Sequence, residues 1–109
     1  MATRKKILVV DSDLDLLSRI YLGLLHRNYK VEATDKVSEV EERIKRLKPS
    51  LLILGTQDYL ADIGELKIPF IVLVEKDQMP VNHAKVEWKL FEKPVSIEKL
   101  VRTIEELIA

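Results

Sequence analysis

The stretch that decides the fold is residues 6–13, with the sequence KILVVDSD. Four apolar residues, three of them β-branched, follow one another before the polar cluster begins. An uninterrupted apolar run of this length is typical of a strand that is buried on both faces of a parallel sheet. Asp11 stands directly after the run, at the carboxyl end of the predicted strand, which is where open parallel sheets place their ligands. The stretch therefore predicts a central strand with a candidate site at Asp11.

The rest of the chain repeats the same pattern of strand followed by helix. Further strands are predicted at Tyr29 to Thr34, which alternates apolar and polar residues, and at 51–54, 70–74 and 86–91. Apolar residues at helical spacing predict helices over 14–26, 37–47 and 97–108, a short third helix over 58–66, and a doubtful fourth over 75–85. Ser12 and Asp15 are spaced as in a capping box for the first helix, and Asn28 is suited to close it in a left-handed conformation.

Five strand–helix units predict one α/β domain over residues 1–109, with a flavodoxin-like, doubly wound, five-stranded parallel sheet. The common strand order for this layout is 2-1-3-4-5, which places the ligand crevice between the first and third strands, at Asp11 and Gly55. The third and fourth helices are predicted to be shortened.

The composition excludes several classes of function. The 18 basic and 18 acidic residues balance, so no nucleic-acid or membrane partner is expected, since both leave a basic excess. The absence of cysteine excludes disulfides, thiol catalysis and thiolate zinc sites, and is compatible with the cytoplasm that we expect. With three glycines and no glycine-rich loop after the first strand, the chain offers little material for the phosphate cradle of a nucleotide binder or a small flavodoxin-like enzyme.

Four segments together resemble a response-regulator receiver domain of two-component signalling. They occur in the order of that family and are KILVVD at 6–11, PSLLIL at 49–54, IPFIVL at 68–73 and FEKP at 91–94. The resemblance covers the chain from about Lys5 to its end. It implies a domain in which a histidine kinase phosphorylates an aspartate after the third strand. A pair of acidic residues that holds Mg²⁺, a lysine and a hydroxyl residue support that reaction.

Carried over position by position, the resemblance implies a degenerate site. Asp11 matches the first acidic residue, but Ser12 stands in place of the second. Gly55 occupies the position of the phosphorylated aspartate, and Val74 that of the hydroxyl residue on the fourth strand. Lys93 matches the lysine. We therefore expect a pseudo-receiver that is not an enzyme, binds no cofactor and does not bind Mg²⁺. Asp11 is expected to cap backbone amides and to pair with Lys93.

One alternative within the same family remains open. Asp13 could supply the missing second carboxylate for a metal by a one-residue shift, and together with Asp11 it is the weak metal candidate. Asp13 or Asp58 could also serve as a displaced phosphoacceptor in an altered site. The direction of the Asp13 side chain cannot be predicted from the alternation at a strand end that leads into a helix. Asp58 has a simpler interpretation as a loop carboxylate or the N-cap of the third helix.

The interaction surface implied by the resemblance is the face made by the fourth helix, the fifth strand and the fifth helix. In receivers this face docks output domains or a second receiver. On this chain it would include Trp88, Leu90 and Phe91, and tryptophan is a residue enriched at interaction hot spots. The expected partner is a protein: an output domain, a kinase or a second receiver, including a second copy in a homodimer. The function predicted from the sequence is a phosphorylation-independent signalling and interaction module.

Overall fold

A computed structural model describes residues 5–55, 68–74, 88–92 and 96–108 of the 109-residue chain. Within these ranges the chain forms a parallel sheet with helices on both faces, as predicted. The strands are β1 (Lys6–Val10), β2 (Lys30–Thr34), β3 (Leu51–Leu54), β4 (Phe70–Val74) and β5 (Trp88–Glu92). The helices are α1 (Leu14–Leu25), α2 (Val40–Leu47) and α3 (Ile97–Ile108), and a 3-10 turn over Val37–Glu39 precedes α2. The predicted third and fourth helices, over 58–66 and 75–85, lie outside the described residues.

The strand order across the sheet is β2-β1-β3-β4-β5, and each neighbouring pair is parallel. The chain reverses its direction of winding after β2, so β1 and β3 lie side by side and their carboxyl ends meet at the switch point. Candidate residues that follow these two strands are thereby brought to one edge of the sheet.

The apolar runs form strands because both of their faces are covered. The side chains of Ile7 and Val9 point into a cluster with α1 and α3, whereas those of Leu8 and Val10 point into a second cluster with α2. Every residue of β3 is likewise fully buried, which explains why its sequence is apolar without alternation. The two clusters are the two halves of one core, separated by the sheet.

The helix ends correct one prediction and agree with another. The residue that caps the amino terminus of α1 is Asp13, so the capping box predicted at Ser12 and Asp15 was wrong. Asp13 is the cap because its side chain accepts hydrogen bonds from the amides of Asp15 and Leu16, while the Ser12 side chain is exposed. Asn28 adopts a left-handed conformation (φ 66°) after α1, as its residue type suggested. No helix in the described part of the chain is long and apolar enough to cross a membrane.

Candidate functional site

The candidate site lies at the switch point, where Asp11 follows β1 and Gly55 follows the neighbouring strand β3. The amide of Gly55 donates to the carbonyl oxygen of Val10 at 2.6 Å, and the amide of Asp11 donates to that of Thr34 at 3.2 Å. These bonds continue the sheet ladder by one residue on each strand. Because the backbone is held on both sides, Asp11 and Gly55 have fixed positions relative to each other.

The carboxylate of Asp11 is completely buried. Its Oδ1 atom accepts a hydrogen bond from the amide of Asp13 at 2.9 Å, so Asp11 caps the backbone of the turn that leads into α1, as expected. A buried carboxylate needs such partners, since leaving its hydrogen-bonding capacity unused would be strongly unfavourable. The expected pairing of Asp11 with Lys93 involves a residue outside the described ranges and stays a prediction.

Gly55 and the Asp11 carboxylate occupy the same small space. A Cβ atom built on Gly55 would overlap the carboxyl group of Asp11 and would lie 2.9 Å from its Cβ atom. The glycine is not required by its backbone conformation, because no glycine among the described residues has a positive φ. It is required by close approach: with Asp11 in this position, any side chain at 55 would force one of the two residues to move.

The second acidic residue after β1 is directed elsewhere. Oδ1 of Asp13 accepts from the amides of Asp15 at 3.1 Å and Leu16 at 3.2 Å, which is the geometry of a helix N-cap. Its carboxylate is therefore bound to the first turn of α1. Among the described residues, no group of three or more His, Cys, Asp or Glu side chains could hold a metal ion.

The remaining predicted site position on a described strand is Val74, the last residue of β4. Its side chain is buried in the α2-side cluster, where it joins Val10 and Leu54. An isopropyl group in that environment offers no hydrogen bond to an anionic ligand. Lys93 and Asp58 lie outside the described residues.

The predicted interaction face is described only in part. Trp88, Leu90 and Phe91 lie on β5, at the edge of the sheet opposite β2. The half-buried Phe91 packs against the cluster formed with α1 and α3. The side chains of Trp88 and Leu90 are outside the described part of the chain.

A charged network beside the site was missed by the sequence analysis. Arg43 donates to Glu32 at 2.9 Å and to Glu39 at 3.1 Å, and Arg46 donates to Glu32 at 2.8 Å. The Thr34 hydroxyl also donates a hydrogen bond to the Glu39 carboxylate at 3.1 Å. Two signals could have revealed it: Glu39, Arg43 and Arg46 share one helical face, and the alternation of β2 directs Glu32 towards that face.

The network perturbs the acidity of its two carboxyl groups. The hydrogen bond from Arg46 is the main reason that the pKa of Glu32 is lowered, opposed by burial and aided by the charges of Arg46 and Arg43. The pKa of Glu39 is lowered chiefly by the hydrogen bond from Thr34 and then by that from Arg43. Both carboxylates therefore act as anionic partners that tie α2 to β2.

Comparison with known proteins gives a uniform result for the fold. No protein-family model matches the sequence, and no curated protein is significantly similar to it. Among solved structures, an orphan response regulator of H. pylori superposes with a TM-score of 0.83 at 18% identity, covering 98% of this chain and 100% of the other. A signal receiver domain from Vibrio parahaemolyticus superposes with a TM-score of 0.81 at 19% identity, covering 97% of this chain and 91% of the other. A CheY-like receiver domain from Methanospirillum hungatei superposes with a TM-score of 0.81 at 20% identity, covering 95% of this chain and 93% of the other.

At these identities the likeness establishes the fold alone. The chain therefore has the α/β fold of response-regulator receiver domains, with a parallel sheet and with Asp11 and Gly55 at its switch point.

Proposed function

We propose that this chain is a signal-transduction module with the receiver fold that works through protein interactions, without phosphorylation of an aspartate. The observation that carries the proposal is the packing of Asp11 against Gly55. The carboxylate of Asp11 fills the space in which a side chain at residue 55 would have to begin. In a receiver, the side chain of the phosphorylated aspartate begins in that space.

The packing of Asp11 against Gly55 matters because aspartyl phosphorylation requires specific groups at this site. The reaction needs a carboxylate nucleophile, a divalent cation that gathers the oxygens, and donors that stabilise the developing charge. Position 55 supplies no nucleophile, and Val74 supplies no hydroxyl. Of the two nearby carboxylates, Asp11 binds the amide of Asp13, and Asp13 caps α1. These assignments support a module that has the receiver scaffold and a silent reaction centre.

Such a module has no enzymatic activity and needs no cofactor. It would act in the cytoplasm with a protein partner, which is an output domain, a kinase or a second receiver. Docking would use the face that includes β5 and α3, which is the predicted fifth helix. Trp88, Leu90 and Phe91 lie on β5, the outer strand of that face.

A second candidate function keeps the phosphoryl chemistry and moves the acceptor to Asp13 or Asp58. Asp13 is exposed and adjacent to the switch point, which is the observation in its favour. Against it, Asp13 already accepts two amide hydrogen bonds, and breaking them would uncap α1.

The test is to expose the protein to Mg²⁺ and acetyl phosphate and to measure its intact mass, with a receiver of intact acceptor site as positive control. We expect no mass increase by one phosphoryl group. In parallel, amide NMR spectra recorded with Mg²⁺ and then with beryllofluoride, which mimics an acyl phosphate, should show unchanged signals for Asp11 and Gly55.

A mass increase that requires Mg²⁺ would overturn the proposal. Asp13→Ala and Asp58→Ala variants would then identify the acceptor, because only the variant that lacks the acceptor should fail to gain mass. Saturable shifts at Asp11 and Gly55 would also contradict a silent site, since they would show that it still binds a cation or a phosphoryl-like group.

A further inference from the structure

The strand β2 forms one edge of the sheet and pairs with β1 only, among the described strands. The amide of Lys30 donates to Lys5 at 2.9 Å, and the carbonyl oxygen of Thr34 accepts from Asp11 at 3.2 Å. In a parallel ladder the residues that face one neighbour alternate with those that face away. The N–H and C=O groups of Val31 and Ala33 consequently point outwards, away from the sheet.

An open groove of about 590 Å³ runs along this edge. Its lining includes Tyr21 and Leu22 of α1, Val31, Glu32 and Ala33 of β2, and Arg43 of α2. The Val31 and Ala33 side chains belong to the α1 side of the sheet, whereas Glu32 pairs with Arg43 on the α2 side. The groove thus straddles the edge, and an occupant would lie beside β2 and extend the sheet.

The two walls of the groove define the chemistry of that occupant. On the α1 side it meets apolar surface, including Leu22, which is 54% exposed. On the α2 side it meets the ion pair of Glu32 and Arg43. A segment that satisfies both walls is extended and alternates apolar and polar side chains, with backbone groups free to bond the edge.

The strand β2 has this pattern itself. Tyr29, Val31 and Ala33 are directed to one face, and Lys30, Glu32 and Thr34 are directed to the other. A second β2 placed antiparallel, with Val31 opposite Ala33 of the second copy, would bring the outward backbone groups of both strands into register for hydrogen bonding.

Charge complementarity supports a second copy as the occupant. In this register Lys30 lies diagonal to Glu32 of the second copy, a favourable pairing of opposite charges. The two Glu32 side chains face each other across the two-fold axis, and each is already neutralised by Arg43 at 2.9 Å and Arg46 at 2.8 Å. The network prevents the repulsion that bare carboxylates would cause.

We infer that this chain self-associates through antiparallel pairing of β2 with β2 of a second copy, so that two sheets join at their edges. The α1 helices of both copies would then flank the junction on one side, and Leu22 would be covered there. This surface lies at the opposite edge of the sheet from β5 and is independent of the face assigned under the proposed function.

The first test is sedimentation velocity of the whole chain from about 10 μM to about 1 mM, which spans the dissociation constants of weak interfaces. We expect a concentration-dependent dimer. Ala33→Pro should abolish it, because proline removes an outward N–H while every bond to β1 is kept. Leu22→Lys should weaken it at least about tenfold, since a charge would enter the apolar wall. The matched control is Leu14→Lys, which changes a leucine on α1 that is 61% exposed and lies outside the groove lining; it should dimerise like the wild type.

The second test is amide hydrogen exchange at low and high protein concentration. The amides of Lys30, Glu32 and Thr34 bond to β1 and should be protected at both concentrations. The amides of Val31 and Ala33 should gain protection only when the protein is concentrated. A wild type that stays monomeric throughout would overturn the inference, as would a dimer that survives both Ala33→Pro and Leu22→Lys in folded protein.

Discussion

At the scale of single residues, the switch point depends on one carboxylate. Asp11 is fully buried, accepts the Asp13 amide at 2.9 Å, and fills the volume above the Cα atom of Gly55. Glycine at 55 and aspartate at 11 are therefore coupled by shape: each restricts what the other position can hold. The proposal of a module that is not phosphorylated rests on this packing.

The coupling predicts the effect of adding one methyl group. Gly55→Ala should lower the free energy of unfolding by about 1–3 kcal/mol, because overpacking forces Asp11 out of place. The smaller entropy of the unfolded alanine chain would offset about 0.4–1 kcal/mol of this loss. Urea denaturation of Gly55→Ala, Asp11→Ala and the double variant measures the interaction.

The double variant should be destabilised by less than the sum of the two single variants, since the shorter side chain at 11 leaves room for the new methyl group. Gly23→Ala is the control, because its Cβ atom would meet Ile97 and not Asp11. Its effect should simply add to that of Asp11→Ala. Additivity of Gly55→Ala with Asp11→Ala would show that the two residues do not compete for space.

At the scale of elements, α2 is joined to β2 by ion pairs, whereas its apolar side chains pack against β1, β3 and β4. Val40 and Leu47 supply its buried side chains, while Arg43 and Arg46 reach across to Glu32 on the strand. The helix ends at Leu47, its C-cap Lys48 adopts a left-handed conformation (φ 52°), and Pro49 prevents its continuation. The buried side chains hold α2 on the sheet, and the partly exposed ion pairs add contacts to β2.

The lowered pKa of Glu32 predicts how stability depends on pH. A carboxyl group whose folded pKa is below its unfolded value contributes stability that is complete above the ordinary value of 4.5. That contribution is lost as the pH falls through the lowered pKa. Glu32→Gln should therefore show a weaker decrease in unfolding free energy on acidification below pH 4.5 than the wild type.

Urea denaturation at a series of pH values measures this difference. Glu41→Gln provides the control, because the Glu41 side chain is 77% exposed and its partner Lys45 lies at 3.5 Å on the surface. It should retain the pH dependence of the wild type. Equal slopes for Glu32→Gln and the wild type would mean that the ionised Glu32 contributes no stability that acid removes.

At the scale of the whole molecule, the sheet separates the described apolar side chains into two layers. The layer beneath α1 and α3 contains Leu17, Ile20, Leu100 and Ile104 together with residues of four strands. The layer beneath α2 is smaller among the described residues. Among the described helices, α3 packs against α1, so two helices that are far apart in sequence share one layer of the core.

Removing side-chain volume from α3 should therefore destabilise the entire domain. Ile104 is fully buried, and Ile104→Ala should lower the free energy of unfolding by about 2–5 kcal/mol. Arg102→Ala, an exposed substitution on the same helix, should change it by less than about 0.5 kcal/mol. Thermal unfolding followed by circular dichroism distinguishes them, and similar midpoints for both variants would exclude a central role for α3.

The sequence by itself determined the α/β fold with its parallel sheet and the residues that meet at the switch point. Apolar runs and helical stripes are properties of consecutive residues, so they can be read along the chain, as can the placement of Asp11 and Gly55 after the first and third strands.

Only the tertiary structure decided which side chains are in contact with one another. Asp13 and not Ser12 caps α1, the Asp11 carboxylate lies over Gly55, and Glu32 is held by two arginines from α2. Each of these depends on distances of a few ångströms between segments that the sheet register brings together. A pattern of residue types along one chain specifies which segments meet, whereas packing specifies how their side chains fit.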